Sequence, residues 1–230
     1  NGVTGLKPTW GRVSRYGVFE LAATLDHIGP MARSAADAAA ILGVIAGADA
    51  NDPTAVQDPV PNYLAGLDRG IRGLRIGVDA KFNSQGVDKA MVKTVTDAVA
   101  VLKDLGADIR EVEFPQVDQV VQEWLAHCAV ETAVAHETTY PAKKQAYGPG
   151  LAGLIDIGRA LSGMDYQKIL LHRHDFRGRV AALFETIDLL AIPAQYMASP
   201  TVKQMATLGE DPNAINSLLR FTAPFDLTDR

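Results

Sequence analysis

The histidines and carboxylates of this sequence stand at spacings that do not suit a metal site. His172 and His174 are two residues apart, so on a helix they point about 200° away from each other. His136 and the glutamate after it begin an H-E-x-x-H pattern, but Tyr140 occupies the place of the second histidine. The segment Asp49–Asp52 begins like a calcium loop, and a proline then breaks the required spacing. We therefore predict no metal site and no cofactor.

A nucleophile cannot be located from the residues alone. No serine stands in the G-x-S-x-G context of a nucleophile elbow. Cys128 lies in a predicted helix among apolar residues, where a thiol usually packs in the core. His174 and Asp175 are two of the side-chain types of a triad, but sequence neighbours on a helix do not face each other.

Two segments could contact a phosphate group. Gly148–Gly153 fits the G-x-G-x-x-G pattern of dinucleotide-binding loops, which requires a strand before it and a helix after it. The preceding segment is helical or polar and Pro149 lacks an N–H, so we predict a loop between two helices. The second segment is a charged stretch that we predict to be a solvated, salt-bridged face, with a phosphate site as the alternative. It contains Arg173, Asp175, Arg177, Arg179 and Glu185.

The composition describes a chain that can bury a core. Of its 230 residues, 47% are hydrophobic and 21% are charged, which excludes a disordered or fibrous class. The formal net charge of −5 argues against a nucleic-acid platform. No apolar run reaches the roughly 18 residues of a membrane span, and the single Cys128 excludes an internal disulfide framework. We expect a cytoplasmic protein of one large or two small domains, with no nucleic-acid partner and no membrane partner.

The middle of the sequence predicts a strand–helix–strand unit. Residues 74–78 read as a short strand, 87–105 carry an apolar stripe of helical period, and 109–114 alternate as a second strand should. The stripe consists of Val92, Val95, Val99 and Leu102. Strands joined through a helix are parallel, with a right-handed crossover, so the predicted fold class is α/β.

Further elements flank this unit. Ser34, followed by an acid three residues later, predicts a capping box at the start of a buried, alanine-rich helix over 34–46. Asp165 is the expected N-cap of a helix over 165–186, and 188–192 is the expected buried strand. Residues 48–72 contain three prolines and predict a surface connection. The other predicted helices cover 116–138, 150–161 and 212–220.

Two stretches near the start of the chain match the pattern of a known family. The first is Gly-Val-Thr-Gly-Leu-Lys-Pro-Thr-Trp-Gly-Arg-Val-Ser-Arg-Tyr-Gly at 2–17, and the second is Leu-Asp-His-Ile-Gly-Pro-Met-Ala-Arg at 25–33. With them the sequence closely resembles the amidase signature family. Later segments follow in the order expected of that family, among them 74–78, 188–193 and 221–228. The resemblance covers nearly the whole chain and is strongest at its two ends.

The resemblance implies an amide hydrolase built as an α/β/α sandwich around a mixed sheet. We expect residues 1–230 to form a single incomplete domain of this type. Its parts are a signature region over 1–49, the strand–helix–strand unit over 74–114, a helical region over 116–186, and a core strand with a pocket segment over 188–230.

Catalysis in the resembled family uses a serine nucleophile, a bridging serine in a cis peptide, and a lysine. All three precede the motif that begins here at Gly2, so we expect no catalytic residue in this chain and no activity of this span alone. Lys7 matches a signature lysine that we expect to be structural. Family members also continue beyond the motif that 225–230 resembles, in which Asp226 replaces the common Asn and Asp229 the common Gly. Both ends therefore look cut.

By the same resemblance, the substrate pocket receives residues from the loop after 188–192 and from the segment that begins at Phe221. We expect Gln195, Tyr196, Phe221 and Thr222 to line it around a small-molecule amide substrate. Plain packing of a loop and a helix end is the alternative for these four residues.

Three functions remain open on the sequence. An ordinary amidase is preferred over the glutaminase-type A component of glutamyl-tRNA amidotransferase. That protein carries a substrate-binding arginine where Gly153 or Leu154 falls here, and an aspartate where Leu218 and Leu219 fall. A non-catalytic α/β binding or scaffold module is the third possibility. If the ends are absent, bare apolar sheet faces would favour self-association, for example as a homodimer.

Overall fold

The computed structural model describes residues 2–207 and 212–228, in which short strands and helices are interspersed. The strands are β1 (Thr4–Gly5), β2 (Met31–Ala32), β3 (Arg75–Val78), β4 (Asp108–Glu111) and β5 (Leu189–Leu190). The α-helices are α1 (Ala35–Ile45), α2 (Ala80–Ser84), α3 (Lys89–Asp104), α4 (Asp118–Ala135), α5 (Pro149–Ala160), α6 (Gly163–Phe184), α7 (Val202–Thr207), α8 (Pro212–Leu219) and α9 (Ala223–Leu227). Short 3-10 turns cover Leu67–Arg69 and Lys144–Ala146.

The described residues form two compact units. Unit 1 contains residues 2–69 and 125–166, and unit 2 contains residues 70–124, 167–207 and 212–228. Unit 1 therefore holds the signature motifs, and unit 2 holds the strand–helix–strand segment.

Unit 1 opens with an antiparallel pair in which Thr4 faces Ala32 and Gly5 faces Met31. Glycine is required at position 29, because a Cβ there would lie 2.0 Å from the Leu6 carbonyl oxygen. The pair leads directly into α1. This close approach of two chain segments gives the motif a defined shape in a region with almost no regular secondary structure.

Helix α1 begins as the capping box predicts. The Ser34 hydroxyl accepts a hydrogen bond from the Asp37 N–H at 3.1 Å and donates to the Asp37 carboxylate at 2.8 Å. The prediction that this helix is buried is wrong, since only Ala38 and Leu42 of α1 are buried. These two positions are one turn apart, so α1 packs through a single face.

Unit 2 is built on a parallel three-stranded sheet with the order β4-β3-β5. Ile76 pairs with Ile109 on one side and with Leu189 on the other. The strand–helix–strand prediction is confirmed, with α3 between the parallel strands β3 and β4. The α/β fold class is confirmed as well. The short helix α2, directly after β3, was not predicted.

The four stripe residues of α3 are half-buried, whereas most other positions of that helix are exposed. The sheet beneath is closely packed at Gly77, where a Cβ would lie 2.7 Å from Ile187 Cδ1 and 3.1 Å from Val112 Cγ2. Glycine at this position therefore lets both side chains pack closely against the central strand.

Two predictions about the later elements are corrected. The expected buried strand over 188–192 has only two residues in the sheet, and Leu189 is 49% exposed. Like β4, it is an edge strand of this sheet, so among the described residues it has a strand neighbour on one side alone. Helix α6 begins at Gly163, because the Ser162 hydroxyl, and not Asp165, is the acceptor that caps it.

Candidate functional sites

In unit 1, the signature segment is held in place by two buried arginines. Arg12 donates to the Tyr63 hydroxyl at 3.0 Å and to the carbonyl oxygens of Asp58 and Pro59 at 2.9 and 3.1 Å. Arg15 donates to the Ala23 carbonyl oxygen. Its second terminal nitrogen donates to the Thr54 hydroxyl at 3.0 Å. The two guanidinium groups thus fix the path of the loop by binding backbone and hydroxyl oxygens.

Asp52 is the buried carboxylate that completes this arrangement. It accepts the Arg15 backbone N–H at 2.8 Å, the Thr54 N–H at 2.9 Å and the Thr54 hydroxyl at 2.6 Å. Hydrogen bonds from the Thr54 hydroxyl and then from the Arg15 N–H lower the pKa of Asp52 to about 2. The carboxylate is therefore ionised and fully engaged in holding the loop.

A second buried carboxylate, Glu131 on α4, binds the signature segment at Thr24. It accepts the Thr24 N–H at 2.8 Å and the Thr24 hydroxyl at 2.7 Å, one on each oxygen. His127 Nε2 lies 3.0 Å from Glu131 Oε1, and the Tyr166 hydroxyl donates to the same oxygen at 3.1 Å. We call Thr24, His127, Glu131 and Tyr166 the Glu131 network.

The carboxylate of the Glu131 network is ionised. Its burial alone raises the pKa of Glu131, but hydrogen bonds from His127 and Thr24 outweigh this effect and lower the pKa to about 2. His127 is fully buried, and its Nδ1 has no hydrogen-bond partner among the described residues. The His127 Nε2 faces the Glu131 carboxylate, which can only accept, so this nitrogen is the donor of that contact.

An open cavity of about 470 Å³ lies in unit 1 beside these contacts. Its wall includes Arg15, Asp52 and Thr54 together with the exposed loop residues Tyr16 and Phe19. Ala23, whose carbonyl oxygen accepts from Arg15, also lines it. The cavity wall is therefore held by the same hydrogen bonds that fix the signature segment.

All four residues predicted to line a substrate pocket lie in unit 2. Gln195 and Tyr196 are half-buried, and the Tyr196 carbonyl oxygen accepts from the Asp88 N–H at 2.8 Å. Phe221 is 2% exposed and packs edge-on against Phe82, with ring centroids 5.0 Å apart. Thr222 is exposed and precedes α9. Phe221 therefore packs in an aromatic core. Substrate binding by the four residues stays a prediction.

Unit 2 has a separate cavity of about 300 Å³ next to that aromatic core. Arg220 lines it and stacks on Phe82, with 4.9 Å between the guanidinium carbon and the ring centroid. Asp79, also on the wall, accepts the Phe82 N–H at 2.8 Å and the Phe114 N–H at 2.7 Å. None of the four predicted pocket residues is among the residues that line this cavity.

The remaining motifs are structural where the chain is described. Arg173 is 7% exposed and donates to the Leu227 carbonyl oxygen at 2.8 Å, so the prediction of a solvated face is wrong at this position. It is correct for Arg179, which pairs with Asp175 at 3.0 Å on the surface. Cys128 is buried in α4. The prediction of a loop for the glycine-rich segment 148–153 is wrong, since Gly148 caps α5 and the rest of the segment is its first turn. A 3-10 turn precedes it, not a strand.

No group of three or more histidine, cysteine or acidic residues in the described parts of the chain is arranged to hold a metal. Across the same residues, no helix combines the length and the apolar character needed to cross a membrane.

Comparison with known proteins decides the family. The family described as Amidase matches the sequence over residues 1–230. The chain belongs to the amidase family. AmiD of Mycobacterium tuberculosis H37Rv, which is named as an amidase, is 43% identical to it over 227 residues, covering 99% of this chain and 47% of AmiD.

Two further matches extend this comparison. The A component of the glutamyl-tRNA(Gln) amidotransferase of Geobacter sp. M21 is 47% identical over 120 residues, covering 52% of this chain and 25% of that protein. A solved 6-aminohexanoate cyclic dimer hydrolase matches the fold with a TM-score of 0.84 at 23% identity, over 99% of this chain and 52% of its own. The chain spans about half the length of the AmiD relatives it matches.

The Glu131 network was not predicted from the sequence. Thr24 and Glu131 are 107 residues apart, and no short sequence motif contains both of them. The position of Glu131 four residues after His127, on one helix face, was the available signal.

Proposed function

We propose that the protein carrying this chain hydrolyses the carbon–nitrogen bond of a small-molecule carboxamide. The observation that carries the proposal is the family match over residues 1–230. The ordered signature segment in unit 1 supports it, since Arg12 and Arg15 hold that segment in a single defined path. The whole protein would be an amidase, and this chain about half of it.

The proposed mechanism uses a serine, a bridging serine in a cis peptide and a lysine, all located before Gly2 in the complete protein. The lysine and the bridging serine take the proton of the nucleophile as it attacks the amide carbonyl carbon. The same proton then passes to the leaving nitrogen, and water hydrolyses the acyl-enzyme. Backbone N–H groups would stabilise the oxyanion. This chain would contribute the fixed signature segment and part of the substrate pocket, including Gln195, Tyr196, Phe221 and Thr222.

An ordinary amidase is preferred over an amidotransferase component. AmiD is 43% identical over 99% of this chain, whereas the amidotransferase A component of Trichlorobacter lovleyi is 34% identical over 84% of it. The leucines at 218 and 219 and the Gly153–Leu154 pair also lack the side chains that would bind the carboxylate and amine of glutamine. Ammonia release from glutamine that depends on a partner protein would favour the amidotransferase instead.

The test compares the complete encoded protein with the isolated 230-residue span on a panel of aliphatic and aromatic amides. We expect turnover by the complete protein, its loss when the serine proposed as nucleophile is replaced by alanine, and no turnover by the span. Serine-dependent turnover by the span would contradict the placement of the catalytic residues. No turnover by the complete protein on any amide would favour the non-catalytic binding module.

Two further properties are proposed with the function. The first is a cytoplasmic location, which cell fractionation with a tagged full-length protein would check. The second is self-association of the isolated span, for example as a homodimer, since apolar residues such as Val44 and Met31 are largely exposed in it. A clean monomer in sedimentation would contradict the second proposal.

A further inference from the structure

Two exposed aromatic side chains line the cavity of unit 1, and the hydrogen bonds of Arg15 and Asp52 do not account for them. Phe19 is 80% exposed and Tyr16 is 66% exposed, both in the loop that forms the cavity wall. Large aromatic side chains at such exposure, grouped at the mouth of a cavity, are typical of a binding surface.

Phe19 is nevertheless held in place. Its ring lies 5.2 Å from the buried His136 ring, which contacts the Tyr147 ring at 5.2 Å, and Tyr147 in turn contacts Tyr140 at 5.2 Å. The His136 Nδ1 and the Tyr147 hydroxyl are 3.0 Å apart, which fixes the ring behind Phe19. We call Phe19, His136, Tyr147 and Tyr140 the aromatic row. His136 supports the Phe19 ring from one side, while most of the surface of Phe19 is open to solvent.

The charges in the cavity wall are compensated by protein groups. The Asp52 carboxylate accepts three hydrogen bonds from Arg15 and Thr54. The Arg15 guanidinium donates to Ala23 and Thr54 and lies 3.8 Å from the Glu20 carboxylate. The Arg15 Nε has no hydrogen-bond partner among the described residues, but it is buried and not open to the cavity. A charged ligand would therefore find no accessible, unpaired nitrogen of Arg15 and no unpaired oxygen of Asp52, and an uncharged ligand is favoured.

We propose that this cavity binds the aryl group of an uncharged aromatic amide, with Phe19 as the surface on which the ring stacks. The volume of about 470 Å³ lies in the range of small-molecule sites, about 300–1,000 Å³. The proposal rests on the proposed amidase function for the amide part of the ligand. It assigns to unit 1 a determinant of substrate specificity, separate from the four pocket residues expected in unit 2.

Binding is tested separately from turnover with a probe that cannot be hydrolysed. Acetophenone, an uncharged aryl ketone, is titrated into the complete encoded protein and followed by amide NMR, with acetone and benzoate as matched probes lacking the ring or carrying a charge. We expect shifts grouped at Gly17, Val18, Phe19 and Thr54 with acetophenone, and no comparable shifts at these residues with acetone or benzoate.

Variants identify the stacking residue. Phe19→Ala is expected to weaken acetophenone binding about threefold to tenfold, the range of one aromatic pair, and to raise the KM for acetanilide by a similar factor with little change in kcat. Phe19→Tyr keeps the ring and should bind as the unchanged protein does. Leu21→Ala is the control, since Leu21 is an exposed apolar residue of the same loop that does not line the cavity.

The two proposals fail in different ways. If Phe19→Ala and Leu21→Ala bind acetophenone equally well, or if benzoate binds as tightly as acetophenone at these residues, the aryl site is overturned even where amides are hydrolysed. If the shifts and the Phe19 effect are found but no amide is hydrolysed, the aryl site stands and the amidase function is overturned. A shift pattern located elsewhere in the protein also overturns the site.

Discussion

Glu131 binds Thr24 through both of its carboxylate oxygens, one accepting the backbone N–H at 2.8 Å and the other the hydroxyl at 2.7 Å. A helix side chain thereby holds one residue of an irregular loop by its main chain and its side chain at once. The two contacts fix both the position and the orientation of the loop at that residue.

Replacing Glu131 by glutamine should destabilise unit 1. The amide would place N–H groups opposite the donors of Thr24, His127 or Tyr166, which leaves buried donors without acceptors and costs about 1–3 kcal/mol. Urea unfolding measures the change. Glu137→Gln is the matched control at an exposed position just after the same helix, where we expect a change within about 0.5 kcal/mol. Equal effects of the two substitutions would show that the network adds no stability.

The Glu131 network should also make stability depend on pH in the acid range. The pKa of Glu131 falls from 4.5 to about 2 on folding, so its ionised form stabilises the folded chain above pH 4.5. That contribution is lost as the pH falls from 4.5 towards 2. The difference in pKa corresponds to at most about 3 kcal/mol, less for the part of the carboxylate that water reaches.

The measurement is the unfolding free energy of the unchanged protein and of Glu131→Gln between about pH 7 and about pH 3. We expect the difference between the two to be largest at the neutral end and to shrink at the acid end, because glutamine does not titrate. A difference that stays constant over this range would refute the pH dependence.

Gly77→Ala should destabilise the sheet of unit 2. The added Cβ would lie 2.7 Å from Ile187 Cδ1, and relieving that overlap costs about 1–3 kcal/mol. Gly178→Ala is the matched control, since Gly178 lies inside α6 and, apart from the backbone of its own helix, no atom lies within 4 Å of the added carbon. There alanine should stabilise by about 0.5–1 kcal/mol because it favours the helix. Thermal unfolding of both variants reports the opposite signs, and a neutral Gly77→Ala would contradict the packing argument.

Asp79→Ala should destabilise unit 2 more than Asp88→Ala. Both residues cap a helix, but Asp79 is buried and binds the N–H groups of both Phe82 and Phe114. Its loss leaves two buried donors unpaired, at about 1–3 kcal/mol each before relaxation. Asp88 is exposed and caps α3 through Ala90 alone, so its loss should cost about 1 kcal/mol. Denaturant titration ranks the two, and an equal cost would mean that the Phe114 contact contributes nothing.

The sequence predicted the elements whose signals are local. The stripe of α3, the Ser34 cap and the strands on either side of α3 follow from periodicity and capping within about 20 residues. The helices α2, α7 and α9 were missed because five or six residues are too few to show a helical period. The formation of these helices depends on residues that are close in space, which the local sequence does not identify.

Contacts between distant residues could not be predicted. Arg173 looked like part of a charged surface, yet its partner is a carbonyl oxygen 54 residues later. Burial of an arginine depends on what covers it, and neighbouring charges in the sequence carry no information on that. The Glu131 network was not predicted for the same reason, because its residues are far apart in the sequence. The family motifs at the start of the chain could be recognised because their residues are contiguous.

The contacts of Arg12 have a consequence for how this region can vary between relatives. Two of its three acceptors are main-chain carbonyl oxygens, at Asp58 and Pro59. Every amino acid offers such an oxygen, so most substitutions there leave the two contacts intact. An inserted or deleted residue would move both oxygens out of register with the guanidinium group. We therefore expect relatives to differ in the residue types of the connection after α1 but to keep its length.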